Sequence, residues 1–174
     1  GDRARGAGLT ISNATVTMKN CLVMSNVITG TRLDAWGAGM CIFGTNSTAV
    51  VQDSRFGFNS VIGELNDSTP TLTARGGGLY SEGKLVVERS DFYAGSLLAP
   101  RQGLVQGGGI WATNDLVLVN VLLGNNVAII SNLVDNDGGG LYAYKSLRMT
   151  NLTVAGNRPN GIARVAEADV PVKL

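Results

Sequence analysis

The stretch Gly76-Gly77-Gly78-Leu79-Tyr80 decides the fold, because the chain returns to it at a fixed interval. The same pattern begins at position 107 as GGGIW and at position 138 as GGGLY. An earlier form, GAG, begins at positions 6 and 37, so the steps between successive triplets are 31, 39, 31 and 31 residues. A period of this length is the signature of a stacked repeat protein.

Apolar residues in the aligned units form columns that lie two residues apart, which is the spacing of a β-strand. One column contains Val16, Ala49, Leu85, Leu116 and Leu147, and the next contains Met18, Val51, Val87, Leu118 and Met149. A single unit cannot bury its apolar face, whereas stacked units place like side chains over like. The sequence therefore predicts an all-β parallel β-helix of about five coils, with about three short strands in each coil.

The corners between these strands have their own sequence signals. Glycine suits a corner that needs a positive φ angle, and asparagine tolerates the same conformation and can hydrogen-bond along the stack. We expect one domain over residues 1–174, with coils that start near Gly6, Gly37, Gly76, Gly107 and Gly138. A β-sandwich is the alternative fold, but no two-residue Asn-Gly or Asp-Gly hairpin joins the strands.

The units also resemble a known repeat. GG-x-(I/L) followed by F-x-x-N resembles the polymorphic outer membrane protein repeat, which belongs to the right-handed β-helix, pectate-lyase-like superfamily. Gly76 to Leu79 carries the first half, and the second half is literal once, as Phe56-Gly57-Phe58-Asn59. The unit that holds Phe92 departs from the repeat, because Gly95 replaces its asparagine. The resemblance implies a right-handed solenoid and a place among surface adhesins and secreted proteins.

Composition excludes several classes of function. Lys and Arg number 14 and Asp and Glu number 13, and no basic stripe of the kind that binds nucleic acid is present. No apolar run approaches the roughly 20 residues of a membrane span. The chain has no histidine, and therefore lacks the commonest general base and transition-metal ligand. We expect no cofactor and no metal site.

The resemblance to the pectate-lyase-like superfamily requires that catalysis be considered. Enzymes of that superfamily use outward carboxylates stacked on neighbouring coils, to bind Ca²⁺ or to divide acid and base roles. The outward strand columns of this chain do not place two carboxylates on adjacent coils; Asp91 follows Arg55, for example. The sequence therefore predicts no catalytic residue, and a carbohydrate-active β-helix is the alternative.

Two outward columns are candidate binding faces. Tyr80, Trp111 and Tyr142, with Tyr144 beside them, follow the inward Leu or Ile of three successive coils. They form either an exposed platform for sugar rings or a partner chain, or a ladder of rings that pack on each other. The second candidate contains Val50, Val86, Val117 and Val119. It either buries against a partner chain or reflects strand propensity alone.

Cysteines and glycosylation sequons add two further expectations. Cys21 and Cys41 fall on different walls of the coil, so two free thiols are expected rather than a disulfide. The sequons at Asn13, Asn46 and Asn66 fall in corners or insertions, where a glycan can attach. The sequon at Asn151 falls in a structural asparagine column and is expected to be a poor acceptor.

These observations favour a non-enzymatic, extracellular or cell-surface module that is structural or adhesive and binds through its outer faces. A scaffold subunit of a larger assembly is a further alternative. The expected partners are other protein chains or further coils of the same protein, with glycans as a second class, and neither nucleic acid nor a membrane span is expected. The tail Gly161–Asp169 is expected to fold over the last coil. The first coil, with Leu9 and Met18, is expected to meet another coil, either from a further region of the same protein or from a second chain.

Overall fold

A computed structural model describes residues 2–30, 33–63, 71–99, 102–130 and 136–164. Regular structure within these ranges consists of β-strands, and every strand pairing is parallel. The described part of the chain contains no helix, and hence none long and apolar enough to cross a membrane. The predicted right-handed parallel β-helix is confirmed, and the β-sandwich alternative is excluded because a sandwich needs antiparallel strands.

The strands form four walls, which we name A to D in the order in which each turn visits them. Wall A contains β1 (Asp2–Arg5), β6 (Leu33–Trp36), β11 (Thr71–Arg75), β15 (Gln102–Gln106) and β19 (Asn136–Asp137). Wall B contains β2 (Leu9–Ser12), β7 (Met40–Phe43), β12 (Leu79–Ser81), β16 (Ile110–Ala112), β20 (Leu141–Ala143) and β22 (Ile162–Arg164). Wall C contains β3 (Thr15–Lys19), β4 (Leu22–Met24), β8 (Thr48–Gln52), β9 (Arg55–Gly57), β13 (Lys84–Tyr93), β17 (Leu116–Gly124) and β21 (Leu147–Ala155). Wall D contains β5 (Val27–Gly30), β10 (Ser60–Gly63), β14 (Ser96–Ala99) and β18 (Val127–Ile130).

The expectation of about three strands in each coil was wrong, because each complete turn crosses four walls. From β1 to β19 the chain makes four turns and then enters a fifth. Wall C also bends at its middle, where five residues in successive turns have positive φ. These residues are Asn20, Asp53, Arg89, Asn120 and Asn151. Asparagine and aspartate are enriched in this conformation, whereas arginine is not, so the sequence did not mark the bend in the turn that contains Arg89.

The corner between walls A and B explains the first glycine of each triplet. Gly6, Gly37, Gly76, Gly107 and Gly138 all have φ between 56° and 71°. A Cβ atom on Gly76 would lie 2.3 Å from the carbonyl oxygen of Leu79, which is far inside van der Waals contact. Only glycine fits this corner, and the fixed corner keeps each turn in register with the next.

The core is divided into two lobes. Walls B and C enclose the larger lobe, in which Leu79, Ile110 and Leu141 stack, as do Val87 and Leu118. Walls A and D enclose the smaller lobe, which includes Ala74, Val105, Val61, Leu97 and Ala128. The predicted inward columns are therefore confirmed, but the sequence did not distinguish the two lobes.

An asparagine ladder runs along the boundary between the lobes. Asn126 is fully buried; its Nδ2 donates to the Phe92 carbonyl at 2.9 Å, and its Oδ1 accepts from the Gly95 N–H at 2.9 Å. Asn157 accepts from the Asn126 side chain at 3.0 Å, and Asn26 and Asn59 make the same contact in the first two turns. The ladder lacks its third rung at Gly95, where a Cβ would lie 2.4 Å from the Gly108 carbonyl oxygen.

The two ends of the described solenoid differ. At one end β22 adds a sixth strand to wall B, which agrees with the expected folding of the tail over the last coil; residues 165–169 lie outside the described part of the chain. At the other end each strand of the first turn is a sheet edge. Leu9 is 38% exposed there, whereas its counterpart Met40 in the second turn is fully buried.

The central turns should be the most sensitive to cavities. Leu118→Ala removes a fully buried side chain and should lower the free energy of unfolding by about 2–5 kcal/mol. The matched control is Val117→Ala, because Val117 is the neighbouring residue but points outward and is half-buried. Urea unfolding of both variants would measure the difference, and equal effects would contradict the inward assignment of Leu118.

The asparagine ladder should contribute to stability because its side chains bond buried backbone groups. Asn126→Ala removes the acceptor of the buried Gly95 N–H and one donor to the Phe92 carbonyl, and should cost about 1–3 kcal/mol. Asn46→Ala, in an exposed turn, is the control and should change stability by less than about 0.5 kcal/mol. Similar urea midpoints for the two variants would show that the ladder is not stabilising.

Candidate functional site

The predicted aromatic column is a continuous stack of rings between walls A and B. Tyr80 and Trp111 lie 4.6 Å apart between ring centroids with an interplanar angle of 2°, and Trp111 and Tyr142 lie 6.4 Å apart. Trp36 extends the stack, with its ring centroid 5.2 Å from that of Tyr80. Trp36 was missed from the sequence because it belongs to wall A, at the other side of the glycine corner.

Of the two interpretations of this column, the exposed platform is not observed. Tyr80 is 2% exposed, Trp111 4% and Tyr142 6%, so these rings do not form an open platform. The ladder of rings that pack on each other, which the sequence analysis favoured, is the arrangement found. Tyr144 is 39% exposed and is the one ring of the four candidates that reaches solvent to a large extent.

Long side chains from wall A and from the turn after wall B cover the aromatic stack. The guanidinium of Arg5 lies 4.8 Å from the Trp36 ring centroid and 3.9 Å from that of Phe43, and Arg75 lies 4.8 Å from Trp111. The Tyr80 hydroxyl donates to the Glu82 carboxylate at 2.8 Å. Sequence columns indicated the direction of the rings, but they could not reveal these covering contacts, which come from other walls.

Burial changes the acid–base properties of this cluster. Cys41 lies in the same outward column as Tyr80, is fully buried, and has its thiol pKa raised from 9.0 to about 12, mainly by desolvation. Desolvation also raises the pKa of Tyr80 and of Tyr142. The thiol of Cys41 and the hydroxyl groups of Tyr80 and Tyr142 are therefore protonated and uncharged at neutral pH, because burial disfavours their charged forms.

The second candidate face remains open to solvent. Val50, Val86 and Val117 occupy one column of wall C in successive turns, Val119 lies in the neighbouring column, and all four are half-buried. A shallow groove of about 300 Å³ lies on this face. Val86 and Val117 line it together with the polar side chains of Lys84, Asp115, Ser146 and Arg148.

Of the three charged side chains around this groove, only the Asp115 carboxylate has a side-chain hydrogen-bond partner among the described residues. The Ser146 hydroxyl donates to the Asp115 carboxylate, whereas no carboxylate among the described residues pairs with Lys84 or Arg148. The groove therefore combines an apolar floor with two exposed cations that remain available to a partner. We name this surface, formed by the four valines with Lys84, Asp115, Ser146 and Arg148, the valine face.

Among the described residues, three ion pairs lie on wall C. Arg55 pairs with Asp91 at 3.0 Å, as the register predicts, and Arg89 pairs with Asp53 at 2.7 Å and with Glu88 at 3.2 Å. The Arg89 guanidinium lowers the pKa of Asp53. These pairs are largely solvent-exposed and contribute little to stability. Within the described ranges no group of three or more Asp, Glu or Cys residues is placed to hold a metal ion.

The structure separates the candidate glycosylation sites. Asn46 lies exposed at the tip of a turn in which the Ser47 N–H donates to the Gly44 carbonyl at 3.0 Å, and Asn13 is also exposed. Asn151 donates from its side chain to Asn120 at 2.9 Å, in agreement with a structural role. Asn66 lies outside the described residues, and both Cys21 and Cys41 are free thiols, as expected.

Sequence reasoning also missed an exposed aromatic residue at the corner between walls C and D. Phe58 is 54% exposed, and its ring meets that of Tyr93 edge to face, with 5.4 Å between centroids. The F-x-x-N pattern drew attention to the buried Phe56 and Asn59 and not to the variable position between them. Phe58 and Tyr93 lie in neighbouring turns, one aligned position apart, and this proximity was the available signal.

Comparison of this chain with protein-family models, curated proteins and solved structures finds no match to any of them. The geometry of the solenoid and its surfaces is therefore the basis for the functional proposals below.

The buried Cys41 should make the protein sensitive to alkali. Its pKa is raised in the folded state, so stability is fully present below pH 9.0 and is lost as the pH rises toward about 12. We expect this residue to contribute a slope of up to about 1.4 kcal/mol per pH unit in that window. Urea unfolding at pH 8 to 11 should show a shallower decline for Cys41→Ala than for the wild type, whereas Cys21→Ala should follow the wild type.

Proposed function

We propose that this chain is a non-enzymatic structural or adhesive β-helix module of the cell surface or the extracellular space. It binds other protein chains through its outer strand faces, and the valine face is the main contact surface. The observation that carries this proposal is the combination, on wall C, of a half-buried apolar floor with two exposed cations, Lys84 and Arg148, which pair with no carboxylate in the described part of the chain.

Two physical arguments support the valine face as a contact surface. Apolar side chains in a continuous outward stripe gain free energy when a partner removes them from water. Unpaired cations beside the stripe attract a complementary acidic partner and fix its position, and such groups favour specificity more than affinity. A rigid wall also presents these groups without the ordering cost that a loop would carry.

A carbohydrate-active module is the second candidate. It is less well supported, because the stacked aromatic rings that would hold a sugar are buried. On the described strand faces Asp91 lies beside Arg55, and the outward columns do not bring two carboxylates together on adjacent turns. Release of reducing or unsaturated sugars from a polyuronate would favour this candidate over the adhesive module.

Adhesion of coated beads tests the proposal. Beads that carry the protein should adhere to one another or to surfaces coated with extracellular-matrix proteins, and Val117→Glu should reduce this adhesion several-fold. Thr17→Glu is the matched control, because Thr17 lies in the same column two turns away from Val86 and is exposed. Equal adhesion by the wild type and by Val117→Glu, with unchanged melting temperatures, would contradict a role for the valine face.

A further inference from the structure

A second surface lies beyond the bend of wall C, away from the valine face. Six of the eight large hydrophobic side chains that are exposed within the described residues lie on this part of wall C, on wall D or on the corner between them. They are Leu22, Val27, Phe58, Ile62, Leu98 and Leu122. Exposed apolar groups that cluster in this way mark a binding surface more often than isolated ones do.

Phe58 is the residue on this surface that the fold does not explain. Its φ angle is +53°, a left-handed conformation that is unfavourable for a bulky side chain. The equivalent corner positions in the other turns contain Ser25, Ala94, Asn125 and Gly156, which are all smaller. The ring gains little burial in exchange, since 54% of it is exposed. Strained residues cluster at functional sites, so an unfavourable φ angle that burial of the side chain does not offset points to a function for Phe58.

Tyr93 completes an aromatic pair with Phe58. Gly57 makes room for it, because a Cβ atom at that position would lie 2.6 Å from the Cζ atom of the Tyr93 ring. The Tyr93 hydroxyl lies 3.6 Å from the Met24 sulfur, and its ring is half-buried. The pair is thus held in place by the backbone and by its neighbours, and it does not need a ligand to order it.

A fixed pair of hydrogen-bonding groups lies next to the rings. Arg55 lies two residues before Gly57, and Asp91 lies two residues before Tyr93 on the paired strand. Residues two apart in a strand point to the same side, so Arg55 and Asp91 lie on the side of wall C that carries Tyr93. Their side chains form an ion pair at 3.0 Å, with 63% of the Arg55 side chain and 31% of the Asp91 side chain exposed. The pair is neutral as a whole, and it offers both donors and an acceptor on one side of the aromatic rings.

We propose that Phe58, Tyr93, Arg55 and Asp91 form a binding site for a neutral glycan built of pyranose rings. The C–H face of a sugar ring packs on an aromatic ring, and its hydroxyl groups exchange hydrogen bonds with a guanidinium and a carboxylate at the same time. A charged glycan is disfavoured, because the only charges among these four residues already neutralise each other.

Binding of immobilised neutral hexasaccharides of glucose, galactose, mannose and xylose, measured by biolayer interferometry, tests this site. The wild type should bind at least one of the four, and Phe58→Ala should weaken that binding about tenfold or more. Leu9→Ala, at an exposed aliphatic position on wall B and outside this surface, is the control and should bind like the wild type.

Phe58→Gly separates binding from folding. Glycine removes the ring and relieves the positive φ angle, so this variant should lose glycan binding while its melting temperature stays equal to or above that of the wild type. A lower melting temperature would show that Phe58 is structural and would overturn the proposal, as would a failure of all four hexasaccharides to bind. Sedimentation velocity that shows a dimer in the wild type and a monomer in Phe58→Ala would assign the surface to protein contact instead.

This site is independent of the valine face. Val117→Glu should therefore keep full affinity for the hexasaccharide, and Phe58→Ala should keep bead adhesion to protein-coated surfaces. Loss of hexasaccharide binding in Val117→Glu would contradict the location of the glycan site.

Discussion

Superposition of successive turns is the constraint on which the rest of this structure depends. Each strand pairs with the equivalent strand of the next turn, so every corner must repeat in the same position. The glycine corner between walls A and B fixes that repeat, because the carbonyl three residues later occupies the space of a side chain. Once the corners repeat, the two core lobes, the asparagine ladder and the ring stack follow from placing like residues over like.

The sequence was sufficient to predict the parts of the fold that recur in every turn. The repeat interval of 31 or 39 residues is visible in the glycine triplets, in the paired apolar columns and in the recurring asparagines. Each of these patterns has a single structural explanation. The bend in wall C was marked by asparagine or aspartate in four turns but not in the third, where Arg89 occupies it. A residue in an unfavourable conformation gives no local sequence signal when the neighbouring turns impose that conformation on it.

The candidate surfaces show a second limit of sequence reasoning. An aligned column shows that the side chains of Tyr80 and Val86 both point away from the core, but it does not show whether neighbouring side chains cover them. The rings of Trp36 and Trp111 stack on both sides of Tyr80, and Arg75 lies over Trp111, so Tyr80 is buried. Val86 has no such cover and is half-buried beside the groove. Exposure depends on contacts between different walls, and these are absent from any single aligned column. For the same reason Phe58, which breaks the column pattern, was found only in the structure.

The bend in wall C gives one continuous wall two display surfaces with different orientations. Its first half presents the valine face, and its second half leads to the corner that holds Phe58. The ion pair between Arg89 and Asp53 lies at the bend and links neighbouring turns there. Residues on the two surfaces are separated by a change in backbone direction, so a partner on one surface leaves the other accessible.

The parallel stack also has a mechanical consequence. Nearly all contacts of a turn are with the turn before and the turn after it, so a force that separates the two ends along the axis loads one inter-turn boundary at a time. Each turn that detaches would release about 31 residues, or roughly 100 Å of extended chain. The solenoid would therefore yield in a series of similar steps and absorb work at each one.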